Sequence, residues 1–396
     1  MNLTGRYDFD SPLRRRGTSC SKWDGAARVF GKDGLLPFWV ADMDFRSAPE
    51  IIDALREKVE FGVFGYPIMT DEARNTVAEW EKRRHGWDVD PDDVAFVPGV
   101  VTGLSAAVRA FTEPGDGVII QTPVYAPFFR VITDNDRVVV ENPLKETEER
   151  FVMDFDNLER VIESNGRVRA MILCSPHNPV ARVWSADELS RLLDICALRG
   201  IVIINDEIHQ DLVYSDARHI PIASLAESQS PLILTLVAPS KTFNIAGLHA
   251  SAWITKDRAA AEKMRRTLAS MDAGSLNLMA ATALETAYSK GAPWLDEAMT
   301  YLEVNRGLVE AFLSERLPKV KMKHPEGTFI FWLDFREYGF HNKELQRILI
   351  EDAGVALNPG TDFGMGGDGF ARFNIGCPRS ILEEGLGKIE RAFAKF

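Results

Sequence analysis

Short runs of aliphatic and β-branched residues recur along the first two-thirds of the chain, separated by longer stretches in which apolar residues return with helical period. The runs are VAFVP (94–98), GVIIQ (117–121), RVVVE (137–141), VRAMILCSP (168–176), IVIIND (201–206), LILTLVAPS (232–240) and SAWIT (251–255). Strands alternating with helices predict an α/β fold, a sheet covered by helices. The runs are almost continuously apolar rather than alternating, so the sheet is expected to be seven-stranded, mostly parallel and buried on both faces. One intervening helix is marked at both ends. Ser185 and Glu188 have the spacing of a capping box, and Gly200 stands at the stop.

Beyond about residue 275 the pattern changes. A long helical stretch from Leu276 to Leu317 is interrupted at Gly291 and Pro293. An apolar run at 327–335, a helix at about 342–353, a second run at 369–376 and a closing helix from Ser380 follow. This predicts a smaller α+β domain at 286–396 beside a large α/β domain at 46–285, with an N-terminal segment, 1–45, packing against the smaller one. The polar KETEER stretch at 145–150 is expected as a solvated loop.

Composition narrows the range of functions. The 396 residues are 45% hydrophobic and 26% charged, which excludes collagen-like, disordered and disulfide-scaffold classes. With 58 acidic and 46 basic residues the net charge is −12, so neither nucleic acid nor an anionic membrane is an expected partner. No apolar run approaches the roughly 18–20 residues that span a bilayer, and the N-terminal residues are charged where a signal peptide would be apolar; a cytoplasmic protein is expected. Cys20, Cys174, Cys196 and Cys377 lie far apart and read as free, buried thiols. The seven histidines show no HExxH or clustered ligand spacing, and no metal site is expected.

The candidate chemistry gathers where apolar runs end. Asp206 and Glu207 close the IVIIND run, at the strand end where α/β proteins collect ligands. A carboxylate there needs a buried cation or donor, and the chain has no phosphate-binding G-x-x-x-x-G-K-[ST] loop to make it a nucleotide-site acid. Lys241 follows the next run in Ser240-Lys241-Thr242-Phe243-Asn244; burial would lower its pKa and free the neutral amine for covalent or general-base work. Ser175-Pro176-His177-Asn178-Pro179 ends another run, and Pro98-Gly99-Val100-Val101-Thr102-Gly103 turns a strand into a helix whose N-terminus suits an anion. Tyr125 could stack on a flat ring or belong to the core, His177 and His209 could reach such a ring, and Arg372 offers a fork for a carboxylate. Gly364–Gly369 fits G-x-G-x-x-G but follows no strand and opens no helix, so it reads as a flexible loop near the substrate entrance rather than a nucleotide site. Asp42 and Asp44 read as local turn and helix-entry acids.

These motifs, with Pro37-Phe38-Trp39-Val40-Ala41-Asp42-Met43-Asp44-Phe45, Gly65-Tyr66-Pro67, Asp206-Glu207-Ile208-His209, Ser240–Gly247 and Arg372-Phe373-Asn374-Ile375-Gly376, resemble those of fold-type I enzymes dependent on pyridoxal phosphate. The resemblance covers nearly the whole chain and lies within the aminotransferase class I/II superfamily, with the carbon–sulfur β-lyases of the MalY/PatB type. It implies that Lys241 holds the cofactor covalently and takes the substrate Cα proton, while Asp206 pairs with the pyridine nitrogen. It further implies that Asn178 and His209 sit at the ring's hydroxyl edge, that Tyr125 stacks on its face, and that Val101, Thr102 and Ser240 hold the phosphate. Tyr66 would reach the phosphate of a neighbouring subunit, making a homodimer. Arg372 would clamp the substrate carboxylate, with Trp39 and Val40 at the entrance. The implied reaction is α,β-elimination of cystathionine or a related L-cysteine S-conjugate to a thiol, pyruvate and ammonia. An aminotransferase using the same apparatus, and a pyridoxal phosphate-binding partner of a transcriptional regulator, stay open as alternatives. Three positions depart from the usual pattern: Ala181 where glycine is common, His249 where many aminotransferases carry a phosphate-binding arginine, and Asn205 where the lyases often have serine.

Overall fold

The computed structural model describes residues 5–396; the first four residues of the N-terminal segment lie outside the described residues. All seven apolar runs form strands of one sheet: β1 (Val94–Val97), β2 (Gly117–Ile120), β3 (Val138–Glu141), β4 (Val168–Cys174), β5 (Val202–Asp206), β6 (Ile233–Val237) and β7 (Ser251–Ile254). Their spatial order is β1-β7-β6-β5-β4-β2-β3. β7 pairs antiparallel with both neighbours, and every other pairing is parallel.

The two-residue period of a strand explains why near-continuous apolarity was needed. Ile172, Ile204, Leu234 and Leu236 pack on one face with Leu104, Ala107 and Met264. Met171, Leu173, Ile203 and Ile233 pack on the other with Leu189, Leu192 and Ile195. The helix over this second face, Ala186–Arg199, carries the expected capping box at Ser185 and stops at Gly200 in the left-handed conformation (φ 63°).

The later helical stretch divides as expected into Leu278–Lys290 and Ala292–Arg316. β8 (Ile330–Asp334), β9 (Asn358–Pro359) and β10 (Phe370–Asn374) form a separate antiparallel sheet in the order β8-β10-β9. The helix expected at 342–353 is α-helical only through Arg347, and Ile348–Ala353 widens into a π turn. The KETEER stretch is not a plain loop, because Lys145–Glu146 pairs with Phe151–Val152 as a short hairpin. Leu36–Pro37 pairs in parallel with Val355–Ala356. No helix among the described residues is long and apolar enough to cross a membrane. All four cysteines are free; three are buried and Cys20 is half-buried.

Asp42 and Asp44 do more than the local turn bonding expected of them. Asp44 accepts from Lys22 Nζ (2.6 Å), Arg15 Nη1 (2.6 Å) and Trp23 Nε1 (2.7 Å), and Asp42 accepts both Arg15 terminal nitrogens. Lys22 is fully buried, so this cluster fixes residues 15–44 by charges that would be costly to separate.

Gly291 separates the two long helices for a steric reason. A Cβ there would lie 2.4 Å from Phe243, two residues past Lys241, and 2.5 Å from the Ala287 carbonyl. Helix propensity alone would favour alanine by about 1 kcal/mol, whereas overpacking costs about 1–3 kcal/mol. Gly291→Ala is therefore expected to lower stability, read as a lower denaturant midpoint; an unchanged or higher midpoint would show that Phe243 yields.

Candidate active site

The ends of β4, β5 and β6 point the same way, so the residues that follow them meet at one edge of the sheet. The register places Cys174 beside Asp206 and Asp206 beside Leu236. After β6, Pro239–Thr242 forms a single helical turn that carries Lys241. On the far side, β1 leads through Gly99, in the left-handed half of backbone space (φ 98°), into the helix Val100–Phe111. That helix has no side-chain cap and no acid in its first turn, leaving its N–H groups available to an anion.

These elements enclose a cavity of about 410 Å³. Val101, Thr102, Tyr125 and Asn178 line it together with Asp206, His209, Ser240 and Lys241. Asp206 is buried, accepts a hydrogen bond from Ile208 N–H (3.1 Å), and is pushed by burial up to about 7. Lys241 is pushed the other way, to about 8, by burial and by the Arg372 charge, and its Nζ donates to the Ala41 carbonyl at 2.6 Å. Burial, with Lys241 and Arg372, lowers His209 to about 3, so its ring is neutral; its buried Nδ1 has no partner among the described residues.

Arg372 lies behind Asn178, with Nη1 3.4 Å from the Asn178 Oδ1. Its Nη2 donates to the Trp39 carbonyl (2.6 Å) and to Asn358 Oδ1 (2.8 Å), and Phe363 lies 5.0 Å beneath it. Among the described residues its buried Nε has no partner, and burial lowers the guanidinium to about 10. Trp39 and Val40 do not line the cavity. The Trp39 indole donates to the Lys22 carbonyl, and the Val40 carbonyl accepts from Asn374 Nδ2. Tyr66 is fully exposed and outside the cavity, on residues 62–70, which form neither helix nor strand. His177 does not reach the site: its Nε2 lies 3.1 Å from the Gln121 carbonyl and its ring meets Trp184 edge-on.

Sequence comparison decides the family. The aminotransferase class I and II profile matches residues 35–389. Cystathionine beta-lyase PatB of Bacillus subtilis is 46% identical over 387 residues, spanning 98% of this chain and 100% of PatB. Protein MalY of Escherichia coli is 37% identical, spanning 96% of this chain and 97% of MalY. Cystalysin from Treponema denticola, whose crystal structure contains a pyridoxal 5'-phosphate cofactor, superposes with a TM-score of 0.94 at 35% identity over 98% of this chain and 99% of that one. The chain belongs to the aminotransferase class I and II family.

The family's cofactor is pyridoxal phosphate, and the site fits it. Asp206 is a buried carboxylate in need of a cation, the helix start at Val101 and Thr102 offers unused N–H donors, and Lys241 is an amine near neutrality. The three departures from the usual family pattern acquire physical descriptions. Ala181 takes φ 56°, the left-handed region that favours glycine, in a loop fastened by Arg182 to the Phe151 carbonyl, Glu188 and Glu326. Asn205 donates to the buried Glu207 (2.6 Å). His249 lines the cavity beside Gly99, with its Nδ1 3.4 Å from where a Cβ on Gly99 would stand.

Sequence reasoning missed Cys174, Ala250 and Asn358, and gave no role to Ala41, Ile208 and Ala246, which stand inside the motifs that carry the resemblance. Strand register could have found Cys174, which faces Asp206 across one pairing. Ala41 and Asn358 arrive from distant segments and carry no local signal.

Because only the neutral amine condenses with an aldehyde, capture of added pyridoxal phosphate by cofactor-free protein is expected to accelerate as pH rises through about 8 and then level off. A rate that keeps climbing past pH 10, followed by visible absorbance, would show an ordinary solvated lysine.

Proposed function

We propose that this protein is a pyridoxal phosphate-dependent carbon–sulfur β-lyase that converts cystathionine or a related L-cysteine S-conjugate to a thiol, pyruvate and ammonia. The observation that carries this reading is that a buried Asp206 and a near-neutral Lys241 line the same cavity. Full-length similarity to PatB, a cystathionine beta-lyase, favours elimination over transamination.

Bound in this cavity, pyridoxal phosphate supplies an electron sink for the charge left at the substrate Cα. Asp206 would pair with the ring nitrogen, and a protonated nitrogen there would keep the buried carboxylate ionised. Asn178 and His209, which line the cavity with Tyr125, would donate to or border the ring's hydroxyl, and Tyr125 would stack on the ring. Val101, Thr102 and Ser240 would hold the phosphate, aided by the dipole of the helix that starts at Val100. Arg372, behind Asn178, would bind the substrate α-carboxylate. Lys241 Nζ, freed once the substrate amine takes its place, would remove the Cα proton; the pair left at Cα closes a Cα=Cβ double bond as the Cβ–S pair leaves with sulfur, and the proton held on Nζ is available to the departing thiolate. Water then takes the remaining three-carbon unit to pyruvate and ammonia.

We read the protein as a cytoplasmic homodimer. Tyr66 shares its exposed segment with Val63, Phe64 and Ile68, beside exposed Phe61, an apolar surface suited to a second copy. In that dimer Tyr66 of each chain reaches the phosphate of the other. Four free thiols suit a reducing compartment. The boundaries at residues 45 and 285 divide the cofactor-holding part from the parts that bring Arg372 to the substrate.

Lys241→Ala is expected to lose the visible absorption of the lysine-bound cofactor, and both Lys241→Ala and Asp206→Asn are expected to lose at least about 10²-fold in turnover. Thiol and pyruvate release measured on the folded variants checks this; wild-type turnover in Lys241→Ala would overturn the assignment.

A further inference from the structure

Beneath the cavity floor lies a buried titratable group that the reaction described above does not use. Glu81, His85, Glu207, Asp211 and His219 all have side chains almost wholly out of solvent. Glu81 accepts from Gln210 Nε2 (2.6 Å), and Glu207 accepts from Asn205 Nδ2 (2.6 Å) and the Ile222 N–H (3.2 Å), with His219 Nε2 3.4 Å away. Asp211 stands where three parts of the fold meet. Its Oδ1 accepts from Trp80 Nε1 (3.0 Å) and lies 2.9 Å from His85 Nε2, both at the end of the helix Asp71–His85. Its Oδ2 accepts from Thr242 Oγ1 (2.8 Å), the residue next to Lys241. Asp211 itself sits five positions after Asp206 on the turn leaving β5.

We propose that Asp211, acting through Thr242, is a positioning residue that fixes Lys241 for proton transfer. Asn244 ties the segment after the Lys241 turn to the Met43 and Phe45 carbonyls, but Pro239–Thr242 itself is one helical turn without a side-chain cap, and among the described residues Lys241 Nζ is held by the Ala41 carbonyl alone. A hydrogen bond to an ionised acceptor in a dry interior is both strong and directional. Asp211 stays ionised: burial opposes its charge, but the His85 hydrogen bond and cation outweigh this and hold its pKa below the ordinary value. His85 is raised in turn, against burial, by that bond and by the Glu81 charge. The carboxylate therefore locks the Asp206 turn, the Lys241 turn and the helix that follows the exposed 62–70 segment into one arrangement. Proton transfer is sensitive to displacements of about 1 Å, so loosening this lock should slow the chemical step without altering substrate affinity.

This inference rests on the proposed role of Lys241, and the test separates the two. Holoenzyme carrying Thr242→Val, which keeps the shape and removes the donor, is compared with Thr242→Ser, which restores it. The valine variant is expected to bind pyridoxal phosphate with an unshifted visible band, to show weakened visible circular dichroism from the bound cofactor, and to lose about 10-fold in kcat with KM little changed. Serine is expected to restore both signals. Thr242→Ala, which demands no added volume, carries the same test should valine not be accommodated. Wild-type kcat and dichroism in the valine or alanine variant, a loss in KM alone, or failure of serine to restore kcat would overturn the positioning role. A wild-type protein that holds no pyridoxal phosphate would instead overturn the reading of the site.

Discussion

Everything at this site depends on one electrostatic constraint. A carboxylate and an amine are held in a low-dielectric floor where neither is comfortable in its usual charge state. Burial drives Asp206 up to about 7 and Lys241 down to about 8, so the two groups converge from opposite ends of the pH scale. A solvated aspartate and lysine would both be locked in their charged forms at neutral pH. Here the amine can lose its proton and the acid is ready to pair with a cation, the combination that a cofactor with a protonatable ring nitrogen and an aldehyde requires. The sheet creates this condition, because β5 and β6 are buried on both faces and run parallel, so their ends deliver both residues to the same dry edge.

That constraint has to be defended structurally. Lys241 is tethered above by the Ala41 carbonyl, from an N-terminal segment that the Lys22–Asp44–Arg15 cluster pins down. Asn244 reinforces the same join, donating to the Met43 and Phe45 carbonyls and accepting from Met43 N–H. Asn358 and the Trp39 carbonyl orient Arg372, whose Nε has no partner among the described residues, and Asn178 touches it from the loop after β4. The charged groups are thus positioned by amides and carbonyls, which orient them without neutralising them.

The parts legible in the sequence were those whose signal is local. Seven strands could be read from apolar runs, and Asp206 and Lys241 stood out because each is polar chemistry at the end of such a run. The helix break at Gly291 and the cap at Ser185 were visible for the same reason. Interactions between distant segments were not visible. Asp42 and Asp44 looked like turn residues because their partners, Arg15 and Lys22, lie some twenty to thirty residues earlier in the chain. His177 looked like a ring ligand because its neighbour Asn178 does line the cavity, yet a one-residue step turns it towards the Gln121 carbonyl. The π turn at Ile348–Ala353 shares its apolar spacing with an α-helix, and the Asp211 junction draws on residues 80, 85 and 242.

The most direct test of the account is to load the purified protein with pyridoxal phosphate, add L-cystathionine without any keto acid, and follow pyruvate, free thiol and the visible spectrum together. The account predicts continuous release of pyruvate and thiol in equal amounts, with the yellow cofactor band retained through many turnovers. A single conversion of the cofactor to its aminated form, with no pyruvate and recovery only on adding a keto acid, would contradict it and mark the protein as an aminotransferase.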